Sequence, residues 1–277
     1  MELLLDKGAS IEAMANDSWT PLHLAARWGH MGTVELLLSK GASIEAMDNE
    51  NCTPLHLAAR LGHTGIVDLF LSRGASIETT TQLGNTPLHL AAVEGHTGTV
   101  ELLLGQGASI EAMTKDNWTP LHLAAQLGHT DTVDLLLGKG ALIEAMDNDN
   151  RTSLHLAARW GHTSTVELLL GKGASIETIT KDNWTPLHLA ARWGHTSTVE
   201  LLLGKGASTE AAAQVGNTEL HSATRWGHIR KLLLGKGASI KAVNKSTNTP
   251  LQLAAQYGHT DIVKLLNTKA AIHDNRT

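Results

Sequence analysis

The sequence predicts an all-α repeat solenoid, in which short helix pairs stack in register along the chain. One observation is that Thr-Pro-Leu-His and its close variants recur eight times at a nearly constant interval. A second is that each interval holds two short apolar runs of helical character, and a third is that a glycine separates those two runs. Repeats of 20 to 50 residues are typical of such arrays.

The repeat is 33 residues long and has diverged little. Thr-Pro-Leu-His begins at Thr20, Thr53, Thr86, Thr119 and Thr185, and variants of it begin at Thr152, Thr218 and Thr249. The spacing is 33 residues except for 31 between the last two. Residues 154–175 are identical to residues 187–208, which indicates recent duplication.

Each repeat carries start and stop signals for two helices. In the repeat of Thr185, the hydroxyl can cap a first helix, and Pro186 suits its first turn because no N–H is needed there. Gly194 is expected to end that helix in a left-handed conformation. A second helix is predicted over residues 196–203, with Val199 and the three leucines 201–203 as its core contribution, and residues 204–206 are predicted to end it.

A tight turn is predicted two positions before each capping threonine. That position is occupied by Ser18, Asn51, Gly84, Asn117, Asn150, Asn183, Gly216 and Thr247. Six of the eight are Gly or Asn, the residues that best tolerate a left-handed backbone. The segment around the turn is therefore expected to be an extended finger.

These residues closely resemble the ankyrin repeat family. The matching elements are TPLHLAA, the following GH, the VELLL run and GAS-I, from residue 1 to about 273. The resemblance implies a curved, elongated array with β-hairpin fingers along one edge and a concave groove for protein partners. We expect one array over 1–277, with a partial repeat at 1–14, eight repeats at 15–266, of which the seventh is degenerate, and a cap or tail at 267–277. The first five residues align with a second helix, so the chain is expected to be a fragment or to need an upstream cover.

Composition excludes several classes of function. The net charge is −5 and the pI is near 6.3, which disfavours nucleic acid as a partner. The single cysteine, Cys52, permits no internal disulfide and suits a reducing compartment. No apolar run approaches the roughly 20 residues that span a bilayer, and MELLLDKGAS does not resemble a signal peptide. We expect a cytoplasmic monomer, with the nucleus left open.

The histidines do not suggest catalysis or metal binding. Fifteen of the 16 occupy two fixed positions of the repeat, after Thr-Pro-Leu and after the inter-helical glycine, so they form ladders instead of a closed cluster. They are predicted to bind loop backbone between neighbouring repeats. Cys52 near His56 could suggest a nucleophile and base, but one such repeat in eight is more typical of drift. No phosphate loop or cofactor motif is present, so we expect no enzyme, cofactor or metal site.

The aromatic residues fall into two variable columns. The finger column, just before the capping threonine, reads Trp19, Cys52, Asn85, Trp118, Arg151, Trp184, Asn217 and Asn248. The helix-end column, before the inter-helical glycine, holds five arginines and one acidic residue, Glu94. All seven Trp and the single Tyr lie in these columns, whereas Phe70 lies in a second helix and is expected to be core.

In the family that the chain resembles, these columns line the groove, and Trp, Tyr and Arg are enriched at binding hot spots. The candidate protein-binding residues are Trp19, Arg27, Trp28, Arg60, Trp118, Arg159, Trp160, Trp184, Arg192, Trp193, Arg225, Trp226 and Tyr257. The arginines predict a partner with an acidic surface and apolar anchors. Two structural alternatives stay open: a finger Trp as a hydrophobic staple, and packing of the helix-end Trp rings on one another. The competing function is a spacer in a larger protein, without a selected groove.

Overall fold

All regular structure in the described residues is helical. The structure is a computed structural model that describes residues 8–15, 17–211, 216–226 and 238–274. In this part it contains 15 helices and no strand. The chain divides into two compact bodies, residues 1–142 and 143–277.

In its described residues, the first body contains four helix pairs. They are α1 (Pro21–Arg27) with α2 (Met31–Ser39), α3 (Pro54–Arg60) with α4 (Thr64–Ser72), α5 (Pro87–Val93) with α6 (Thr97–Gly105), and α7 (Pro120–Leu127) with α8 (Thr130–Gly138). The first helices of successive pairs pack side by side, and so do the second helices. The result is two layers of short helices, one layer for each position in the pair.

The second body repeats this arrangement. Its helices are α9 (Ser153–Trp160), α10 (Thr163–Gly171), α11 (Pro186–Trp193), α12 (Thr196–Gly204), α13 (Glu219–Trp226), α14 (Pro250–Gln256) and α15 (Thr260–Asp274). First helices α9, α11, α13 and α14 pack in succession. The predicted second helix of the degenerate seventh repeat falls largely at residues 227–237, which lie outside the described residues, as do residues 1–7 of the predicted partial repeat.

The predicted helix signals are confirmed by the backbone. Thr185 is the N-cap of α11: its hydroxyl accepts the N–H of His188 at 3.2 Å, and its own N–H donates to Nδ1 of that imidazole at 3.3 Å. This reciprocal arrangement is a capping box in which histidine replaces the usual Glu or Gln. Gly194 ends α11 with φ of +79°, as a left-handed cap requires.

The core follows from which positions of each helix face the neighbouring repeat. Leu187, Val199 and Leu202 are at most 1% exposed, and Phe70 is fully buried as predicted. Leu201 and Leu203, which were also predicted to contribute to the core, do so only in part, because both are half-buried. On a nine-residue helix, positions three apart share a face, so Val199 and Leu202 point inward together while their neighbours turn away.

The fingers are closed by hydrogen-bonded turns. In one of them, the N–H of Thr180 donates to the carbonyl of Trp184 at 3.1 Å, and the N–H of Asn183 donates to the carbonyl of Thr180 at 2.8 Å. All eight positions predicted to be left-handed have φ between +57° and +85°. No strand pairing extends these hairpins in the described residues, so their rigidity comes from the turns and from links between fingers.

Two kinds of link join each finger segment to its neighbour. Lys181 donates its N–H to the carbonyl of Asp149 at 2.9 Å. A carboxylate of the SIE segment also accepts a backbone N–H from the following repeat, as Glu177 does from Ser208 at 2.7 Å. The equivalent contact recurs through both bodies and fixes the finger edge. In the described part of the chain, no helix is both long and apolar enough to cross a membrane.

Candidate functional site

The histidine after Thr-Pro-Leu supports the finger of the next repeat. Nδ1 of His155 accepts the N–H of Thr152 at 3.2 Å, so the ring proton lies on Nε2, which donates to the carbonyl oxygen of Trp184 at 3.0 Å. His188 makes the same bond to Asn217 at 3.1 Å. The prediction that these imidazoles bind backbone of neighbouring repeats is confirmed.

The histidine after the inter-helical glycine makes a second backbone contact between repeats. Nε2 of His195 lies 2.9 Å from the carbonyl oxygen of Arg159, and Nε2 of His63 lies 3.0 Å from that of Arg27. These carbonyls belong to the helix ends that carry the arginine column. Among the described residues, no three His, Cys, Asp or Glu side chains are grouped as metal ligands.

Burial keeps several histidines of the first column neutral. It lowers the pKa of His56, His89, His155 and His188 to about 4, although the backbone carbonyl bonded to each ring acts in the opposite direction. A neutral ring is also what the hydrogen bonds demand, because Nδ1 must accept from the capping threonine. These rings are therefore uncharged at neutral pH and hydrogen-bond to the backbone of the next finger.

The pair of Cys52 and His56 is not built for nucleophilic catalysis. Burial, with Asp48 and Glu50 nearby, raises the pKa of the Cys52 thiol to about 11, so little thiolate exists at neutral pH. Both nitrogens of His56 are engaged, Nδ1 by Thr53 and Nε2 by backbone carbonyls of the next finger. The imidazole thus has a structural role.

The two aromatic columns meet in the second body. The guanidinium carbon of Arg192 lies 5.1 Å from the ring centre of Trp184 and 5.6 Å from that of Trp193. Arg159, one repeat earlier, lies 5.8 Å from Trp193 and 6.0 Å from Trp160. These five residues form a continuous alternation of cation and indole, which we call the Arg–Trp cluster. Contacts at such distances are attractive.

The first body repeats the motif once within a single repeat. Arg27 lies 4.8 Å from the ring centre of Trp19 and 5.6 Å from that of Trp28. The indole N–H of Trp19 donates to a carboxylate oxygen of Asp48 at 3.0 Å. The nine-position spacing from a finger Trp to a helix-end Trp therefore places both rings around one guanidinium.

Exposure separates the two columns. The helix-end rings are open to solvent, with Trp28 at 64%, Trp160 at 53%, Trp193 at 49% and Tyr257 at 43% exposed. The finger rings of Trp19, Trp118 and Trp184 are half-buried, and each lies 5.7 to 6.4 Å from the histidine four residues later. The finger tryptophans thus pack partly against their own repeat and are partly exposed. The helix-end rings are mostly exposed to solvent.

The remaining predicted residues occupy different settings. Arg60 is exposed and forms an ion pair with Glu94 at 3.3 Å. The side chains of Arg225 and Trp226 lie outside the described part of the chain, although their backbone ends α13.

Two cavities lie where fingers and helix ends face each other. In the second body, a cavity of about 350 Å³ is lined by Arg151, Lys181 and Trp184 from the fingers and by Arg159, Leu189 and Arg192 from α9 and α11. In the first body, a cavity of about 420 Å³ lies beside Cys52 and is lined by four aliphatic side chains together with the Arg60–Glu94 pair. The fingers and helix ends therefore form recesses, and the one in the second body is lined by more cations than carboxylates.

The structure contains a third exposed column that the sequence patterns did not lead us to predict. It lies five positions before the finger column and consists of aliphatic side chains exposed by 44 to 68%, namely Met14, Met47, Met113, Met146, Ile179 and Val243. The signal was available in the sequence, because methionine recurs four times at the same repeat position.

The fold and these columns define a helical repeat protein in which the residues of the fingers and first-helix ends vary from repeat to repeat. The family model described as ankyrin repeats (3 copies) matches residues 1–81, 77–147, 142–213 and 209–276. The chain therefore belongs to the ankyrin repeat family, whose repeats generally mediate protein–protein interaction and are typically non-catalytic. No match was found among curated proteins.

Proposed function

We propose that this chain binds a protein or an extended peptide between its fingers and first-helix ends, through the Trp and Arg columns. The observation that carries the proposal is the Arg–Trp cluster of the second body, in which Trp160 and Trp193 stay about half exposed while arginines hold their rings. Exposed aromatic rings side by side are typical of interaction sites.

The Arg–Trp cluster also bears on the two structural alternatives. These are a finger Trp that acts as a hydrophobic staple, and helix-end Trp rings that pack on one another. Trp160 and Trp193 are bridged by Arg159, and a guanidinium stacked on indole leaves ring surface available to a partner. The finger ring of Trp184 does pack on its own repeat, 5.7 Å from His188. However, Asn stands at this position in three repeats, so an aromatic residue is not required for the finger to form.

The proposed partner has an acidic surface and apolar anchors. Arg159, Arg192 and Arg27 supply positive charge at the helix ends, even though the whole chain carries −5. Complementary charge would speed encounter and orient the partner. We further propose that the chain acts as a monomer in the cytoplasm, without a nucleic acid partner and without catalytic activity.

The test replaces Trp160, Trp184 and Trp193 together with alanine and compares the proteins captured from a cell lysate by quantitative mass spectrometry. A matched control replaces Glu167 and Glu200, which are exposed on second helices α10 and α12. Circular dichroism must show unchanged helicity in both variants. Loss of specific partners with the tryptophan variant alone would support the proposal, whereas an unchanged set would refute it.

The spacer function remains the competing proposal, favoured by the 22-residue identity between successive repeats. Recent duplication can lengthen an array without selection of any groove. The same capture experiment separates the two, since a spacer predicts equal capture by the wild type and both variants.

A further inference from the structure

We infer that the cavity between the fingers of residues 147–151 and 180–184 is a subsite for a single side-chain carboxylate, an Asp or Glu of an extended peptide. The inference rests on the proposed function and adds which residue type of the partner it recognises and where. The cavity measures about 350 Å³, which suits one side chain and part of its backbone.

The positive charge around this cavity comes from four cations on four elements. Arg151 and Lys181 come from two successive fingers, and Arg159 and Arg192 come from the ends of α9 and α11. Burial and the nearby guanidinium groups of Arg151 and Arg192 lower the pKa of Arg159. Like charges are thus gathered closely enough to disfavour one another, and an anion between them would relieve that repulsion.

Counting charges identifies the anion as a monoanion. Against the four cations, the lining carries the carboxylates of Asp149 and Asp182, and buried Asp147, which is outside the lining, pairs with Arg151. Arg151 is bound by Asp147 at 2.7 Å and by Asp149 at 3.3 Å, so it is already neutralised. Four cations and three carboxylates leave a net charge of +1. One carboxylate balances that charge, whereas a phosphate dianion would exceed it.

The remaining walls determine what adjoins the carboxylate. Leu189 and the half-buried ring of Trp184 give the cavity an apolar side, and the exposed ring of Trp193 continues it past Arg192. An apolar residue beside the acidic one would cover these surfaces. The preferred sequence is therefore an Asp or Glu next to an aliphatic or aromatic residue.

The other cavity provides a contrast within the same chain. There the arginine of the helix-end column, Arg60, is neutralised by Glu94, and the nearby finger adds Glu50. Its charged lining is therefore not cationic, and its aliphatic walls favour an uncharged side chain. The two cavities are therefore expected to select different side chains.

The test begins with selection of a phage-displayed random dodecapeptide library on the full chain. Selected peptides are synthesised with the acidic residue intact, replaced by its amide, or replaced by phosphoserine. Dissociation constants are measured by fluorescence anisotropy for the wild type, for the double variant Arg159→Gln with Arg192→Gln, and for the double variant Trp184→Ala with Trp193→Ala. The control is Arg73→Gln, which changes an exposed arginine just after second helix α4, outside both columns. We expect enrichment of Asp or Glu beside an apolar residue, and weakening by roughly tenfold on amide replacement. That weakening should disappear in the double arginine variant and persist in Arg73→Gln.

Each other outcome has a defined meaning. Peptides whose binding needs Trp184 and Trp193 but shows no acidic preference would overturn the carboxylate subsite and leave the proposed function standing. Tighter binding of the phosphoserine peptide would assign the cavity to phosphate instead. If no selected peptide depends on Trp184 and Trp193, the proposed function fails together with the subsite.

Discussion

Nε2 of His155 donates a hydrogen bond to the carbonyl oxygen of Trp184, 3.0 Å away in the next repeat. A framework residue that recurs in seven of the eight repeats thereby holds the finger that displays a variable one. The same imidazole caps its own helix through Thr152, so one ring connects helix start, repeat spacing and finger position. Because the ring has to be neutral to make both contacts, the framework is sensitive to acid.

Stability is therefore expected to fall as the pH is lowered from about 6.5 towards 4. The folded pKa of His56, His89, His155 and His188 is about 4, whereas an unfolded histidine has a pKa of about 6.5. In this window the unfolded chain binds more protons, so protonation favours unfolding by up to about 1.4 kcal/mol per pH unit at each site. Urea unfolding followed by circular dichroism between pH 5 and 8 measures this slope.

The chain contains its own control for the pH effect. In the last repeat Gln252 occupies the histidine position, and its Oε1 accepts the N–H of Thr249 at 2.7 Å. The variant His155→Gln should keep the cap and lose the titration, so its stability should depend less steeply on pH below 6.5. Facing groups Asp147 and Arg151 act in opposite directions on the pKa of His155. An unchanged slope would mean that this ring does not contribute.

Local features of each repeat could be predicted from sequence because they depend on a few neighbouring residues. The caps at Thr185 and Gly194 follow from residue chemistry, and so does the left-handed turn at Asn183. The sequence also predicted that His155 would hydrogen-bond to loop backbone of the neighbouring repeat, although not to which atom. A residue that recurs at the same repeat position contacts the same place in each neighbour.

Contacts that depend on how repeats are placed could not be predicted. The approach of Arg159 to Trp193 joins side chains 34 residues apart, and its distance depends on the spacing and rotation between α9 and α11. Likewise, consecutive leucines in α12 gave no indication of which would face inward. Thr247 adopts φ of +61° although β-branched residues disfavour that region, and only the repeat register predicted it.

Exposed tryptophans of the helix-end column should be dispensable for folding. Trp160 is 53% exposed at the end of α9, while Leu154 in the same helix is 1% exposed. We expect Trp160→Ala to reduce the free energy of unfolding by less than about 1 kcal/mol. Leu154→Ala should cost roughly 2–5 kcal/mol because it removes core volume. Chemical denaturation of both variants measures the difference, and a comparable loss for Trp160→Ala would indicate a structural role for the ring.

The inter-helical glycine should not tolerate a side chain. Gly29 has φ of +71°, and a Cβ there would lie 2.8 Å from Cε1 of His63, the ring that contacts the carbonyl of Arg27. Gly29→Ala is therefore expected to cost about 1–3 kcal/mol of stability. The control is Gly105→Ala at the end of α6, where a Cβ meets no atom within 4 Å and alanine should be neutral or stabilising. Equal effects in thermal unfolding would show that the histidine contact is not restrictive.

Ser153 marks a position where the array can be stabilised. It replaces proline in one repeat as the first residue of α9, and its buried hydroxyl has no hydrogen-bond partner among the described residues. Proline at the same position of α11, Pro186, is buried and accommodated. Ser153→Pro should remove an unsatisfied polar group and reduce the entropy of the unfolded chain, raising stability by about 1–2 kcal/mol. The reverse change, Pro186→Ser, should lower it by a similar amount. Differential scanning calorimetry of the two variants tests both expected changes in stability. Destabilisation by Ser153→Pro would mean that α9 begins with a backbone conformation that proline cannot adopt.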